Sequence, residues 1–315
     1  MMSKNMPLKT GQKKNRLLLI ISRYWDMYLL LFPVLLYFAL FRYWPMYGIQ
    51  IAFKDYSPYL GFLKSPWVGL EHFLRYFRSY YFVRLITNTI GISLYQLAVG
   101  FPIPIILALS LNEVRNRYFK KTVQMVTYIP HFLSVVVLVG MVFSFLSPRG
   151  GIINQFAQWL FKCEPVYFMS EPKYFKTIYV LSGVWQHMGW GTIIYIAALS
   201  GIDPELYEAA IVDGASKIKR ILHITIPGIL PTAVILLILD CGRIMNVGFE
   251  KVFLMQNGQN IAASEVISTY VYKTGILGAQ FSFSAAIGLF NSVVNVILLL
   301  IVNSIAKRMS EVSLW

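Results

Sequence analysis

The chain has 315 residues, of which 57% are hydrophobic, 16% aromatic and only 13% charged, against about 25% charged in an ordinary soluble domain. Polar residues this sparse, gathered between long apolar runs, exclude a water-soluble globular protein and leave an all-α, polytopic membrane protein. The net charge of +14 would suggest nucleic acid in a soluble chain; placed as flanks of apolar runs it addresses a bilayer, and no nucleic-acid partner is expected.

Residues 1–23 form a basic tail with Lys4, Lys9, Lys13, Lys14, Arg16 and Arg23 and no acid, the pattern of a cytoplasmic flank. The tail resembles the start of a signal peptide, yet the apolar run after it reaches Trp44 without a small-residue cleavage site, so a retained first span is expected. Crossing the hydrocarbon takes roughly 20 apolar residues, and six segments qualify, at 24–44, 86–111, 123–146, 175–201, 226–248 and 281–304. The expected organisation is a first helix and extracytoplasmic segment over 24–82, a five-helix core over 83–304 with a cytoplasmic loop at 202–225, and a cytoplasmic tail over 305–315. Pro33, Pro102, Pro104 and Pro130 fall inside spans and predict kinks. Lys and Arg are roughly twice as dense in the segments this topology puts inside, which places both termini there. Trp67, Tyr80, Tyr81, Trp159 and Tyr167 lie in the outer segments as interface anchors.

Along the second span, Thr89, Ser93, Gln96 and Gly100 form a small and polar stripe at helical spacing. Such stripes face other helices rather than lipid; lining a pathway and gluing a bundle both remain open. The fourth span carries Trp185, Gln186, His187, Trp190 and Tyr195 near its middle, where polar groups are costly and often functional. His187 is either a substrate-facing group or a side chain hydrogen-bonded to a neighbouring helix. Cys163 and Cys241 match no disulfide, redox or metal spacing.

The loop at 202–225 has its own signals. Asp203 reads as an N-cap, Pro204 as the first helical residue and Glu205 as an acid at the positive end of the dipole. The helix is expected to run to Asp213, with Gly214 as a positive-φ cap and with Leu206, Ala209, Ala210 and Asp213 on one side. About ten residues span roughly 15 Å, too short for a bilayer and suited to docking. A second short helix, Ser216 to His223, presents Lys217, Lys219 and Arg220, and Pro227 and Pro231 bracket the return into the membrane. On these residues alone an ordinary helical loop and a docking element are both open.

On the fifth span Asp240, Arg243 and Asn246 recur every three residues. Two roles stand for Arg243: neutralising Asp240, or meeting the carboxylate of an acidic sugar with its forked guanidinium. The sixth span repeats the small and polar pattern with Ser284, Gly288, Asn291 and Asn295. The candidate substrate pathway is therefore Trp185, Gln186, His187, Arg243, Asn246, Asn291 and Asn295.

No nucleotide-binding G-x-x-x-x-G-K-[ST] occurs, so the chain is not expected to hydrolyse ATP, and no catalytic or metal-ligating residue is assigned. H-E-x-x-H and G-x-S-x-G are absent, and His72, His131, His187 and His223 lie on separate segments. An ion-coupled secondary transporter would need embedded carboxylates, of which Asp240 alone qualifies.

The loop also resembles a family motif. Glu208-Ala209-Ala210, Gly214, Ile224 and Ile226-Pro227 match EAA-x3-G-x9-I-x-LP of ABC importer permeases, departing only in Ile226 for Leu. "WVGLEHF" (Trp67–Phe73), Thr87–Glu113 and Thr127–Leu146 are similar to binding-protein-dependent sugar permeases, and "YWPMYGIQIAFKDY" (Tyr43–Tyr56) is similar to the subgroup importing polysaccharide-derived oligosaccharides. The resemblance implies a six-helix type I permease fold in a bacterial cytoplasmic membrane. It implies ATPase coupling through Tyr207, Glu208, Ala209, Ala210, Asp213 and Gly214. The implied partners are a second homologous permease in a heterodimer, two cytoplasmic ATPases that hold ATP and magnesium, and an extracytoplasmic solute-binding lipoprotein. The motif is shared with importers of peptides, amino acids and polyamines, so the cargo stays open between these and oligosaccharides.

Overall fold

The computed structural model describes residues 23–162 and 164–309; the basic tail over 1–22, Cys163 and the last six residues lie outside them. Among the described residues there is no strand, only an isolated bridge between Lys54 and Trp67. The helices that position the site are α1 (Trp25–Phe53), α2 (Glu71–Phe77), α3 (Tyr81–Glu113), α4 (Arg117–Phe132), α5 (Val135–Phe145), α6 (Ile152–Phe161), α7 (Pro172–Ser200), α8 (Pro204–Val212), α9 (Lys217–Cys241), α10 (Phe249–Met255), α11 (Ile261–Ser264), α12 (Ile267–Tyr272) and α13 (Phe281–Met309).

Four of these, α1, α3, α9 and α13, are long and apolar enough to cross a membrane, and the bent pair α4 and α5 would make five. The fourth expected span is a 29-residue helix, α7, but Gln186, His187 and its glycines keep it below the apolarity of the others. It is the hub of the fold. It packs against both halves of α3, against α4, α9 and α11, with Gln186 of its polar middle buried.

Several span limits differ from the sequence expectation for identifiable reasons. Helix α1 continues past Trp44 because its π turn at Ala39–Tyr43 and 3-10 stretch at Trp44–Phe53 absorb Pro45, which needs no donor at that point. The expected third span at 123–146 is two helices meeting at 106°. Pro130 sits in a 3-10 turn, and Ser134 caps α5 by accepting from Val137 N at 3.3 Å, so two local signals end one helix and start the next. The expected short helix at Ser216–His223 and the span at 226–248 are instead one element, α9, 25 residues long. A π turn at Ile221–Thr225 precedes Pro227, and Pro231 sits inside the helix without breaking it. At the far end α13 takes in part of the expected tail, reaching Met309.

In lipid, apolar burial does not drive helices together; close packing and hydrogen bonds do. Gly189 shows the first: a Cβ there would lie 2.1 Å from the Thr127 carbonyl oxygen, so only glycine lets α7 press against α4. Asn88 shows the second, donating to the carbonyls of Ala262 and Glu265 at 2.9 and 3.1 Å and tying α3 to the α11 turn. One apolar cluster, with Ala108, Tyr195, Leu199, Ile229 and Ala233, lies near α8; a larger one, with Phe175, Tyr179, Val180, Val252 and Met255, lies towards the other end of α7.

Candidate functional site

The first half of the site is α8. Asp203 caps it, its carboxylate accepting from Glu205 N at 2.9 Å, with Pro204 in the first turn where a missing donor costs nothing. At the other end Gly214 has φ +71°. Its N–H donates to the Ile211 carbonyl at 3.0 Å, and Ala215 N donates to the Ala210 carbonyl at 2.9 Å. This paired pattern is a Schellman cap, which satisfies the last carbonyls and turns the chain sharply. The helix stops at Val212, with Asp213 as its C-cap.

Only Tyr207 and Ala210 of α8 are partly covered; Leu206, Glu208, Ala209, Ile211 and Val212 are exposed, as are Asp213 and Gly214. The side expected to hold Leu206, Ala209, Ala210 and Asp213 together is thus split, Ala210 turning inward with Tyr207. The Tyr207 hydroxyl lies 3.1 Å from that of Thr225, which is buried at the start of the transmembrane part of α9. Lys217 at the foot of α9 pairs with Glu113 at the end of α3 at 3.0 Å. Helix α8 is therefore fastened to α9 at one point and offers the rest of its surface outward.

The second half is at the opposite end of α9. A cavity of about 640 Å³ is lined by Ser93, Gln96 and Gly100 from α3, Gly183, His187 and Trp190 from α7, and Asp240, Arg243 and Asn246 where α9 ends. The polar stripe of the second span thus meets polar residues of the fourth and fifth. Asn291 and Asn295 of α13 stand behind: both donate to the Asn246 side-chain oxygen, at 3.0 and 3.2 Å, and the Asn295 oxygen accepts from Met245 N at 3.0 Å. They hold the turn that carries Asn246. Gln186 is buried and donates to the Leu133 carbonyl at 3.0 Å, bracing the bend between α4 and α5. Trp185 does not line the cavity.

Asp240 and Arg243 attract one another but form no close ion pair: the described residues hold two, Lys217–Glu113 and Arg84–Glu265, and neither involves them. The reason is local. Helix α9 ends at Cys241, so Arg243 is on a turn rather than one helical turn further along. Both side chains line the cavity.

His187 meets His131, read from the sequence as lying on a separate segment. Their Nδ1 atoms are 3.2 Å apart, and the His131 ring stacks on Trp190 at 4.4 Å between centres. A histidine beside Pro130 inside an apolar run was the available signal for this residue. Thr225 and Lys251 were also missed; neither carries a local sequence signal, because each matters through a partner distant in the chain. Among the described residues no group of three or more potential ligands could hold a metal ion.

A bundle built this way, with a polar cavity between helices and one capped helix outside it, defines a multi-pass membrane transport protein. Comparison with known proteins gives the family. The model described as binding-protein-dependent transport system inner membrane component matches residues 100–311. The polygalacturonan/rhamnogalacturonan transport system permease protein YteP of Bacillus subtilis is 44% identical over 304 residues, covering 96% of this chain and 94% of the relative. Protein LplB of the same organism is 44% identical over 312 residues, covering 99% and 98%. A chain in the crystal structure of a bacterial alginate ABC transporter, in complex with an alginate pentasaccharide-bound periplasmic protein, superposes with a TM-score of 0.88 at 39% identity, covering 95% of this chain and all of that one. The chain belongs to the inner-membrane components of binding-protein-dependent transport systems. It is a permease with the fold found in that ABC importer.

Proposed function

We propose that the protein moves acidic, polysaccharide-derived oligosaccharides into the cell by alternating access, driven by separate ATPases. The observation that carries this reading is the continuity of α9. Its 25 residues reach roughly 37 Å at 1.5 Å each, and about 22 Å of that runs from Thr225, where Tyr207 holds α8, to the cavity wall at Asp240. A push on the capped α8 is thereby delivered to one wall of the cavity as a rigid displacement.

In this reading Glu208, Ala209, Asp213 and Gly214 face the ATPase, while Tyr207 and Ala210 connect to the span. The assembly comprises a second, homologous permease, two cytoplasmic ATPases carrying ATP and magnesium, and an extracytoplasmic solute-binding lipoprotein. Helix α7, fourth in chain order, completes a set of six spans, polar because it faces the pathway rather than lipid, and both termini lie in the cytoplasm of a bacterium. The relatives named for polygalacturonan/rhamnogalacturonan and alginate support an acidic cargo. So does a cavity whose guanidinium, Arg243, is in no close ion pair. A polyamine would require acids on that wall, where Asp240 stands alone.

The test is uptake of galacturonate oligomers by the assembled importer in liposomes. ATP inside the vesicles with loaded binding protein outside is expected to drive accumulation; a proton or sodium gradient without ATP is expected to drive none. Uptake powered by the gradient alone refutes the reading.

A further inference from the structure

Lys251, on α10, is only 8% exposed. Its Nζ donates to the Tyr179 carbonyl at 2.8 Å and lies 4.7 Å from the centre of the Tyr179 ring. No carboxylate among the described residues pairs with it. An ammonium has three donors, and only one is used here. Burial without a counter-ion pulls Lys251 from the usual lysine range down to about 7; an anion brought alongside would hold its proton.

Gly183 shows where such an anion would come from. This residue lines the cavity. A Cβ added to it would sit 3.2 Å from Lys251 Nζ and within 4 Å of no other heavy atom. Where any other residue would interpose a side chain, the glycine alone separates the buried ammonium from the cavity wall. Its neighbours along α7, Val184 and His187, and Val247 beside α10 line the same cavity. Arg243 supplies a second cation to it.

We propose that Lys251 is a carboxylate-binding residue of the cavity, reached through the gap at Gly183, and that with Arg243 it makes a two-cation site for sugars bearing several uronate carboxylates. This rests on the acidic-cargo reading above. A neutral sugar gains nothing from a desolvated ammonium, whereas a uronate exchanges its hydration for charge-assisted hydrogen bonds.

The experiment uses the complete importer in liposomes with trigalacturonate-loaded binding protein, reading sugar carried per ATP hydrolysed. Lys251→Met is expected to lower that ratio about tenfold, the usual worth of a hydrogen bond to a charged group, while binding-protein-stimulated hydrolysis persists. Lys251→Arg is expected to restore most of it. Gly183→Ala keeps the lysine but fills the gap, and is expected to lower the ratio in the same direction; it decides the matter if Lys251→Met does not assemble. An unchanged ratio in both variants overturns the proposal, as does a parallel fall of uptake and hydrolysis, which marks a structural lysine. Arg243→Ala measured alongside separates the readings: if it alone lowers the ratio, or if neither cation matters, only the two-cation proposal fails; a wild-type importer that hydrolyses ATP yet carries no trigalacturonate fails the acidic-cargo reading as well.

Discussion

Substitution of Gly214 isolates the cap from every other feature of α8. Its φ of +71° is in the left-handed region, and a Cβ there would meet no atom within 4 Å, so the cost of a side chain is backbone strain alone. That strain is about 1–2 kcal/mol for alanine, partly offset by about 0.4–1 kcal/mol from the reduced freedom of the unfolded chain. A net loss of about 1 kcal/mol is roughly a fivefold change in the fraction of complexes with the cap intact. It matters because a helix of 9 residues is marginal in water without its ends fixed. The assay is binding-protein-stimulated ATP hydrolysis and uptake in liposomes across Gly214→Asn, Gly214→Ala and Gly214→Val. Coupled uptake is expected to fall in that order, because asparagine tolerates the left-handed region best and a β-branched residue least. Equal uptake in all three, or asparagine no better than valine, would show that the cap does not set the geometry of coupling.

The remaining substitutions address single contacts. Glu208→Lys reverses charge on the exposed face of α8 and is expected to abolish uptake while membrane insertion, followed by fractionation, is unchanged. Tyr207→Phe removes the hydroxyl that meets Thr225 at 3.1 Å, a bond worth about 0.5–1.5 kcal/mol; hydrolysis is expected to continue with less sugar moved per ATP. Gly189→Ala places a methyl 2.1 Å from the Thr127 carbonyl oxygen and is expected to lower the melting temperature of the detergent-solubilised complex, whereas Gly288→Ala, where no atom lies within 4 Å, is expected to leave it unchanged. Arg243→Ala is expected to reduce uptake of uronate oligomers more than that of neutral ones, and equal effects on both would exclude a carboxylate contact.

The parts of this architecture that were legible in the sequence are those specified by neighbouring residues. Asp203-Pro204 and Gly214 mark the ends of α8 because capping is a local matter, and the structure has the carboxylate and the left-handed glycine in those roles. The stripe of Ser93, Gln96 and Gly100 likewise announced a helix face turned away from lipid, and these residues line the cavity. What was illegible depends on distant partners. Pro227 and Pro231 read as bracketing the return into the membrane after a separate short helix, yet the π turn at Ile221–Thr225 and the packing of Ile229 and Ala233 carry α9 through as one element. One of the two roles open to Arg243 was a pair with Asp240 on helical spacing; no close ion pair forms, because the helix has already ended at Cys241. His131 and His187 are 56 positions apart, and only the bend after Phe132 brings their rings together. Nothing in the sequence around Lys251 betrays that α10 folds it against Tyr179.

The central claim is that the exposed face of α8 receives the stroke of a nucleotide-hydrolysing subunit. A photo-reactive amino acid in place of Ala209, in the assembled importer within native membranes, tests it most directly. The account predicts an adduct with the ATPase subunit, whose yield changes between nucleotide-free and ATP-trapped complexes. Adducts only with lipid or with the extracytoplasmic binding protein, in either state, would contradict it.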